Sequence, residues 1–149
     1  MAPFIFTKAI YESKPIKIFN NGNMYRDFTY IDDVIEAIIR LIDNPAKSNK
    51  DFYKNIPKPD KSWAPHQIFN IGNSQTIKLM DFISTLENTI GIKAKPLFEE
   101  MPLGDVLITS ANTDSLKTYI DYKPKTNLED GIKEFIKWYK YYYKIWYFY

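Results

Sequence analysis

The chain has 149 residues, 45 % apolar and 26 % charged, with a net charge of +2 and no cysteine. That balance allows one globular domain with a real core and is too weakly basic to argue for a nucleic-acid partner. Without cysteine, disulfides, thiol catalysis and cysteine-based metal sites are excluded, and a reducing cytoplasm fits.

The apolar runs are short and interrupted by charge, so no membrane span is expected. The first residues lack a basic start followed by an apolar run, so no signal peptide is expected. Periodicity predicts a first helix over 1–13, with Ile5 and Ala9 on its stripe and Pro3 tolerated in the first turn. An apolar helix with no polar lead-in has the look of a piece cut from something longer. Pro15 ends it, and Ile16 to Phe19 reads as a short strand. Asn20-Asn21-Gly22-Asn23 is a turn, because Asn and Gly accept positive φ cheaply. Arg26 to Phe28 is a second extended piece.

A helix follows over 31–43 with Thr29 or Asp32 as N-cap. It is apolar on nearly all sides, broken by Glu36 and Arg40 at i,i+4 spacing, and so demands cover on more than one face. Residues 44–65 are loop, punctuated by four prolines. Gln67 to Ile71 reads as a buried strand ending in a turn at Gly72. Thr76 is expected to cap a helix running to Ile90, with Leu79, Phe82, Ile83, Leu86 and Ile90 inside and Gly91 as its stop. Lys95 to Phe98 suits another strand. A short helix over 113–119, capped by Asn112, precedes Thr126-Asn127-Leu128-Glu129, a capping box that opens the last helix. Its inner stripe is Leu128, Ile132, Phe135, Tyr139 and Tyr142. Few strands separated by helices indicate an α/β chain holding part of a parallel sheet, and both faces of such a sheet need cover.

Several sites can be set aside. His66 is the single histidine, beside Pro65 in a loop, and reads as solvent-facing. There is no metalloprotease, P-loop or nucleophile-elbow pattern, and no G-x-G-x-x-G. Tyr119 and Lys123 have the Tyr-x-x-x-Lys spacing of short-chain dehydrogenases. Asp121 at the helix stop and Pro124 after Lys123 push the lysine out of helical geometry, so the pair is read as a decoy.

The informative segment is Lys14 to Asp33, a strand, a polar turn and an arginine leading into the 31–43 helix. Arg26 suits a phosphate because its guanidinium is planar, charged and forked. Phe19 and Phe28 offer flat apolar surface for a base or ribose. On residue chemistry alone the plainer alternative stands ahead: a surface arginine paired with Asp27 or Asp32, above core phenylalanines.

The same segment resembles extended short-chain dehydrogenase/reductases that act on nucleotide sugars, the NAD-dependent epimerase/dehydratases. It is closest to the UDP-glucuronate 4-epimerases of capsule and lipopolysaccharide pathways. The resemblance rests on residues 6–10, 18–20, 22–24 and 26–33. It continues through 69–74, Gly104-Asp105-Val106, Tyr122 to Thr126 and Leu128 to Ile132, and so covers residues 1–143. It implies the C-terminal substrate-binding lobe plus the last parallel strand-helix elements of an extended Rossmann-type fold, with the N-terminal NAD-binding half absent.

By resemblance, Lys17, Ile18 and Phe19 line a uridine pocket, Arg26 holds the pyrophosphate with Phe28 beside it, and Asp105 lies near the ribose hydroxyls. The family's NAD glycines and catalytic Tyr and Lys precede the matched part, so no catalytic or cofactor-binding residue is expected here. Its dimer-forming helices also fall outside the match. Two departures stand out: Pro102 replaces a second phosphate contact, and Asp121 replaces a glycine, tolerably, because Asp visits the left-handed region at modest cost. Residues 144–149, an aromatic tail, match nothing; they read as an unpacked tail, as translation past a lost stop codon, or as a membrane-interface segment.

The expected role is therefore the UDP-sugar-binding portion of a nucleotide-sugar 4-epimerase, an isomerase, not catalytic alone. The alternatives are a non-catalytic binding module and an inactive split-gene remnant. The expected partners are a UDP-sugar, a separate N-terminal NAD-binding chain, and other copies of itself.

Overall fold

The computed structural model describes residues 2–54 and 56–145. These fall into two compact units, one built from residues 1–28, 75–109 and 126–149, the other from 29–74 and 110–125.

In the first unit, helix α1 (Ala2–Tyr11) leads into strand β1 (Pro15–Phe19). A turn at Asn20–Gly22 follows, then β2 (Tyr25–Asp27). Strand β3 (Thr76–Lys78) passes directly into helix α3 (Leu79–Ile90). Strand β4 (Lys95–Glu99) and helix α5 (Leu128–Tyr142) complete the unit. β1 and β4 pair in parallel, Pro15 opposite Lys95 through Phe19 opposite Glu99. β2 and β3 pair antiparallel, with Arg26 opposite Ile77. The α/β class with a parallel strand pair is as expected.

The expected turn is built from three consecutive left-handed residues, Asn20 (φ 50°), Asn21 (φ 51°) and Gly22 (φ 75°). Asn and Gly are the residue types that enter that region at least cost. A Cβ at Gly22 would run into the Met80 side chain, so the turn also packs closely on α3.

The core of this unit centres on Phe82, with Phe6, Ile10, Ile16, Ile18, Leu86, Ile132 and Ile136 buried around it. The whole predicted α3 stripe is buried, and Gly91 stops the helix in the left-handed region at φ 81°. α1 turns a different face inward than expected: Phe6, Thr7 and Ile10 are buried, and Ile5 is exposed. With almost every position apolar, the stripe had no unique phase in sequence; packing of Phe6 against Phe82 sets it. In α5 the buried residues are Ile132, Ile136 and Tyr139, while Tyr142 lies in solvent.

Two caps move. Thr76 does not cap α3; it is drawn into β3 by pairing with Asp27, and α3 starts three residues later behind Lys78 with no side-chain cap. The cap of α5 is Asn127 rather than Thr126. Its Oδ1 accepts from the Asp130 amide at 2.8 Å, and its Nδ2 donates to the Asp130 carboxylate at 2.9 Å.

The second unit holds helix α2 (Ile31–Asp43) and helix α4 (Asp114–Ile120) around a small core of Ala37, Leu116, Ile120 and Tyr122. α2 starts behind Tyr30 without a side-chain cap, so neither Thr29 nor Asp32 does that work. Asn112 does contribute at α4, its Oδ1 accepting from the Asp114 amide at 3.0 Å.

The strand expected at 67–71 is not formed. Gln67 makes one bridge, to Lys61, and Ile68 is exposed. A strand needs a neighbour to complete its ladder. Scattered bonds hold the segment instead: the Ile68 amide donates to the Asp60 carbonyl at 2.9 Å, Asn70 Nδ2 to the Asn112 carbonyl at 3.3 Å and, just beyond, Ser74 Oγ to the Ala111 carbonyl at 2.9 Å.

One buried polar knot fastens α2 to the chain after α4. Asp33, 5 % exposed, accepts from the Tyr122 hydroxyl through its carbonyl (3.0 Å) and Oδ1 (3.3 Å), and from the Lys125 amide through Oδ2 (3.3 Å). The Arg40 guanidinium lies over the Tyr122 ring at 4.8 Å. Burial, then the Asp33 carboxylate, push the Tyr122 phenol up to about 12. The fold holds the neutral phenol. Its contribution is complete below the unfolded value of about 10 and is lost as pH rises from there to about 12. Tyr122→Phe should cost roughly 1–2 kcal/mol in urea unfolding at pH 7. The cost should shrink in a second titration at pH 11, and equal cost at both pH values would show that the phenol proton plays no part.

Candidate functional site

Asp105 is delivered by a turn. Pro102 to Asp105 closes through the Asp105 amide on the Pro102 carbonyl at 3.2 Å, and Gly104 supplies the positive φ of 87° that the turn requires. Beyond it the chain runs beside β2. The Tyr25 amide donates to the Leu107 carbonyl at 2.8 Å, the Thr109 amide to the Tyr25 carbonyl at 3.2 Å, and Tyr25 forms a parallel bridge with Ile108. Main-chain pairing thereby sets Asp105 against Arg26, 79 residues away in sequence.

The Arg26 guanidinium has three acceptors. Nη1 donates to the Tyr25 carbonyl at 2.9 Å and to the Leu107 carbonyl at 3.2 Å, and Nη2 donates to Asp105 Oδ1 at 3.1 Å. Arginine carries five N–H donors, so Nε–H and one Nη2–H remain for an anion. Asp105 Oδ1 also takes the Val106 amide at 2.8 Å, so its second oxygen is the one left to accept a hydroxyl. The pair is partly open, with side-chain exposures of 25 % and 33 %. The expected alternative, pairing of Arg26 with Asp27 or Asp32, is not what the ion pair shows: the partner is Asp105.

The remaining sequence-selected residues lie close in the chain and differ in availability. Lys17 is exposed and pairs with Glu99 across the parallel strands at 2.9 Å. Ile18 is fully buried, so only its main chain can meet a ligand. Phe19 packs half-buried against the core. Phe28 stacks on Phe82, centroids 4.4 Å apart and planes 11° apart, which commits one ring face to the core. The Tyr25 and Leu107 carbonyls are site members that the sequence did not indicate, and no side-chain pattern can mark a main-chain acceptor.

His66 is exposed, as expected, and lies with Lys47, Lys61, Gln67 and Tyr119 on an open polar cavity of about 470 Å³ in the second unit. None of the selected site residues lines that cavity. α4 ends at Ile120, and Asp121 is left-handed at φ 48°, so Lys123 falls off the helix that carries Tyr119. The decoy reading of that pair holds on geometry.

Residues 3–72 match the model of the NAD dependent epimerase/dehydratase family. Protein CapI of Staphylococcus aureus is 46 % identical over 144 residues, 97 % of this chain and 43 % of that protein. Over these spans the chain is similar to the NAD dependent epimerase/dehydratase family. UDP-glucuronate 4-epimerase 1 of Arabidopsis thaliana, another relative, is 40 % identical over 96 % of this chain and 33 % of its own length. Among solved structures of the family, UDP-glucuronic acid 4-epimerase from Bacillus cereus in complex with NAD superposes with a TM-score of 0.72 at 29 % identity. That match covers 97 % of this chain and 39 % of the other. The chain thus spans less than half the length of these relatives, as the expected C-terminal lobe and last strand-helix elements would.

The residues described do not fit the cofactor in the family's name. The five glycines include no pair at dinucleotide-loop spacing. The left-handed ones form no phosphate cradle: Gly22 is closed by Met80, and Gly91 and Gly104 face open space.

A part-exposed ion pair contributes little to stability, about 0–1 kcal/mol. Arg26→Ala should therefore leave the unfolding free energy within about 1 kcal/mol of the parent in urea titrations. A larger loss would mean that the guanidinium is chiefly a structural tie for the 105–109 segment.

Proposed function

We propose that this chain is the UDP-sugar-binding portion of a nucleotide-sugar 4-epimerase of the UDP-glucuronate/UDP-galacturonate type, and that it does not epimerise alone. The observation that carries this reading is Arg26 held against Asp105 with two donors and a carboxylate oxygen still to use. A diphosphate calls for the donors and a ribose for the acceptor. Lys17, the Ile18 main chain, Phe19 and Phe28 complete the proposed uridine side. The names of the relatives, UDP-glucuronate 4-epimerases among them, support the sugar class. In the intact enzyme NAD would oxidise the sugar at C4 and return hydride to the other face. This chain's residues would only bind and orient the nucleotide.

Calorimetric titration with UDP and UDP-glucuronate tests the grip. Saturable binding should weaken at least about tenfold in Arg26→Ala, a difference of about 1.4 kcal/mol. No saturation at millimolar ligand would overturn it and leave the inactive split-gene remnant. An epimerisation assay on the purified chain with added NAD should show no turnover; turnover would show that the catalytic groups were misplaced here.

The uncovered isoleucines of α2 favour a second reading, in which a separate chain carrying the glycine-rich half completes the enzyme in trans. Co-purification of the two would support it, and failure to associate would count against it.

A further inference from the structure

Residues 137–149 hold nine aromatic side chains, three lysines, one isoleucine and no acid. The proposed nucleotide grip uses none of them. Those described form the second half of α5 and the turn after it.

Packing decides which side of this stretch meets solvent. α5 buries Ile132, Ile136 and Tyr139. The Tyr139 ring lies edge-on to Phe4, centroids 5.6 Å apart, and stacks on Tyr11 at 5.7 Å with planes 6° apart. These contacts fix the helix about its own axis. Trp138 (47 % exposed), Tyr141 (72 %) and Tyr142 (62 %) are thereby turned outward. At i, i+3 and i+4 they share one convex stripe, and the Trp138 and Tyr142 rings stack on each other at 5.4 Å. Lys133, Lys137 and Lys140, at i, i+4 and i+7, line the neighbouring side of the helix, and Lys144 follows in the next turn. Glu134, the last acid in the sequence, pairs with Lys137 at 3.6 Å, a weak contact between exposed side chains.

Residue type selects the occupant. The core of a protein interface welcomes tyrosine and tryptophan but is depleted of lysine. Single-stranded nucleic acid stacks its bases on free ring faces along a groove, whereas here the rings stack on one another on a convex helix. An anionic bilayer surface takes both parts of the pattern. Tyrosine and tryptophan settle at the headgroup level, and ammonium groups are drawn to the lipid phosphates. No helix among the described residues is long and apolar enough to cross a membrane, so such a contact is peripheral.

We infer that the outer side of α5 docks this chain on an anionic membrane surface. Trp138, Tyr141 and Tyr142 sit at the headgroup level, and Lys137, Lys140 and Lys144 face the lipid phosphates. The docking does not rest on the nucleotide reading, so a failed UDP titration leaves it standing.

Flotation of the full chain with lipid vesicles tests it. The chain should rise with vesicles of mixed phosphatidylcholine and phosphatidylglycerol, stay behind with phosphatidylcholine alone, and be released by high salt. Lys137→Gln/Lys140→Gln/Lys144→Gln, with an unchanged circular dichroism spectrum, should weaken the partitioning on the order of a hundredfold. In a Trp63→Phe/Trp146→Phe chain, Trp138 is the sole tryptophan. Its fluorescence should be quenched by lipids brominated near the headgroup more than by those brominated deep in the acyl chain. The inference is overturned by no flotation with the anionic vesicles, by equal flotation with the neutral ones, by a triple variant that floats like the parent, or by an unquenched Trp138. Tighter binding of a labelled oligothymidylate than of the vesicles would overturn it in favour of single-stranded nucleic acid.

Discussion

The proposed site depends on the two main-chain bonds of Tyr25. Its amide and carbonyl hold the 105–109 segment beside β2, while β2 is held on its other side by β3. With both edges occupied, the Arg26 backbone has little freedom, and the side chain finds two carbonyls and a carboxylate within reach. The arginine is thus fixed before any ligand arrives. Preorganisation of this kind spares a binder part of the side-chain ordering cost.

The same segment explains why neutral and charged acceptors are mixed at the guanidinium. Two carbonyls position the fork without cancelling its charge, and a single carboxylate offsets it in part. An anion would therefore meet a cation that is partly compensated and already stripped of some water. Beneath it, Phe28 on Phe82 ties the end of β2 to the core of the first unit.

How much of this was legible depended on the kind of signal. The α3 stripe and its Gly91 stop, the Asn-Asn-Gly turn and the β4 strand were carried by local periodicity and by residues with distinct backbone preferences. The phase of α1 was not, because almost every position there is apolar. Thr76 has the chemistry of a cap and of a strand residue alike, and pairing with Asp27 decides between them. The 67–71 segment has the composition of a strand, but among the described residues its pairing does not extend beyond the single Gln67–Lys61 bridge. Arg26 and Asp105 were selected by resemblance, but their contact is created by pairing between distant segments, which no local pattern encodes. The expectations for the aromatic tail fall largely on residues 146–149, outside those described.

The division of the interior into two cores has a consequence for cooperativity. Among the described residues, one core gathers twelve buried apolar residues, Phe82 at its centre, and the other four, Tyr122 of the Asp33 knot among them. Local opening free energies follow the density of such burial. The chain should therefore be thought of as two foldons of unequal depth. The shallower one, made of discontinuous stretches, can open while the arginine-bearing one stays shut, so a melting curve read as a single transition would average two different events.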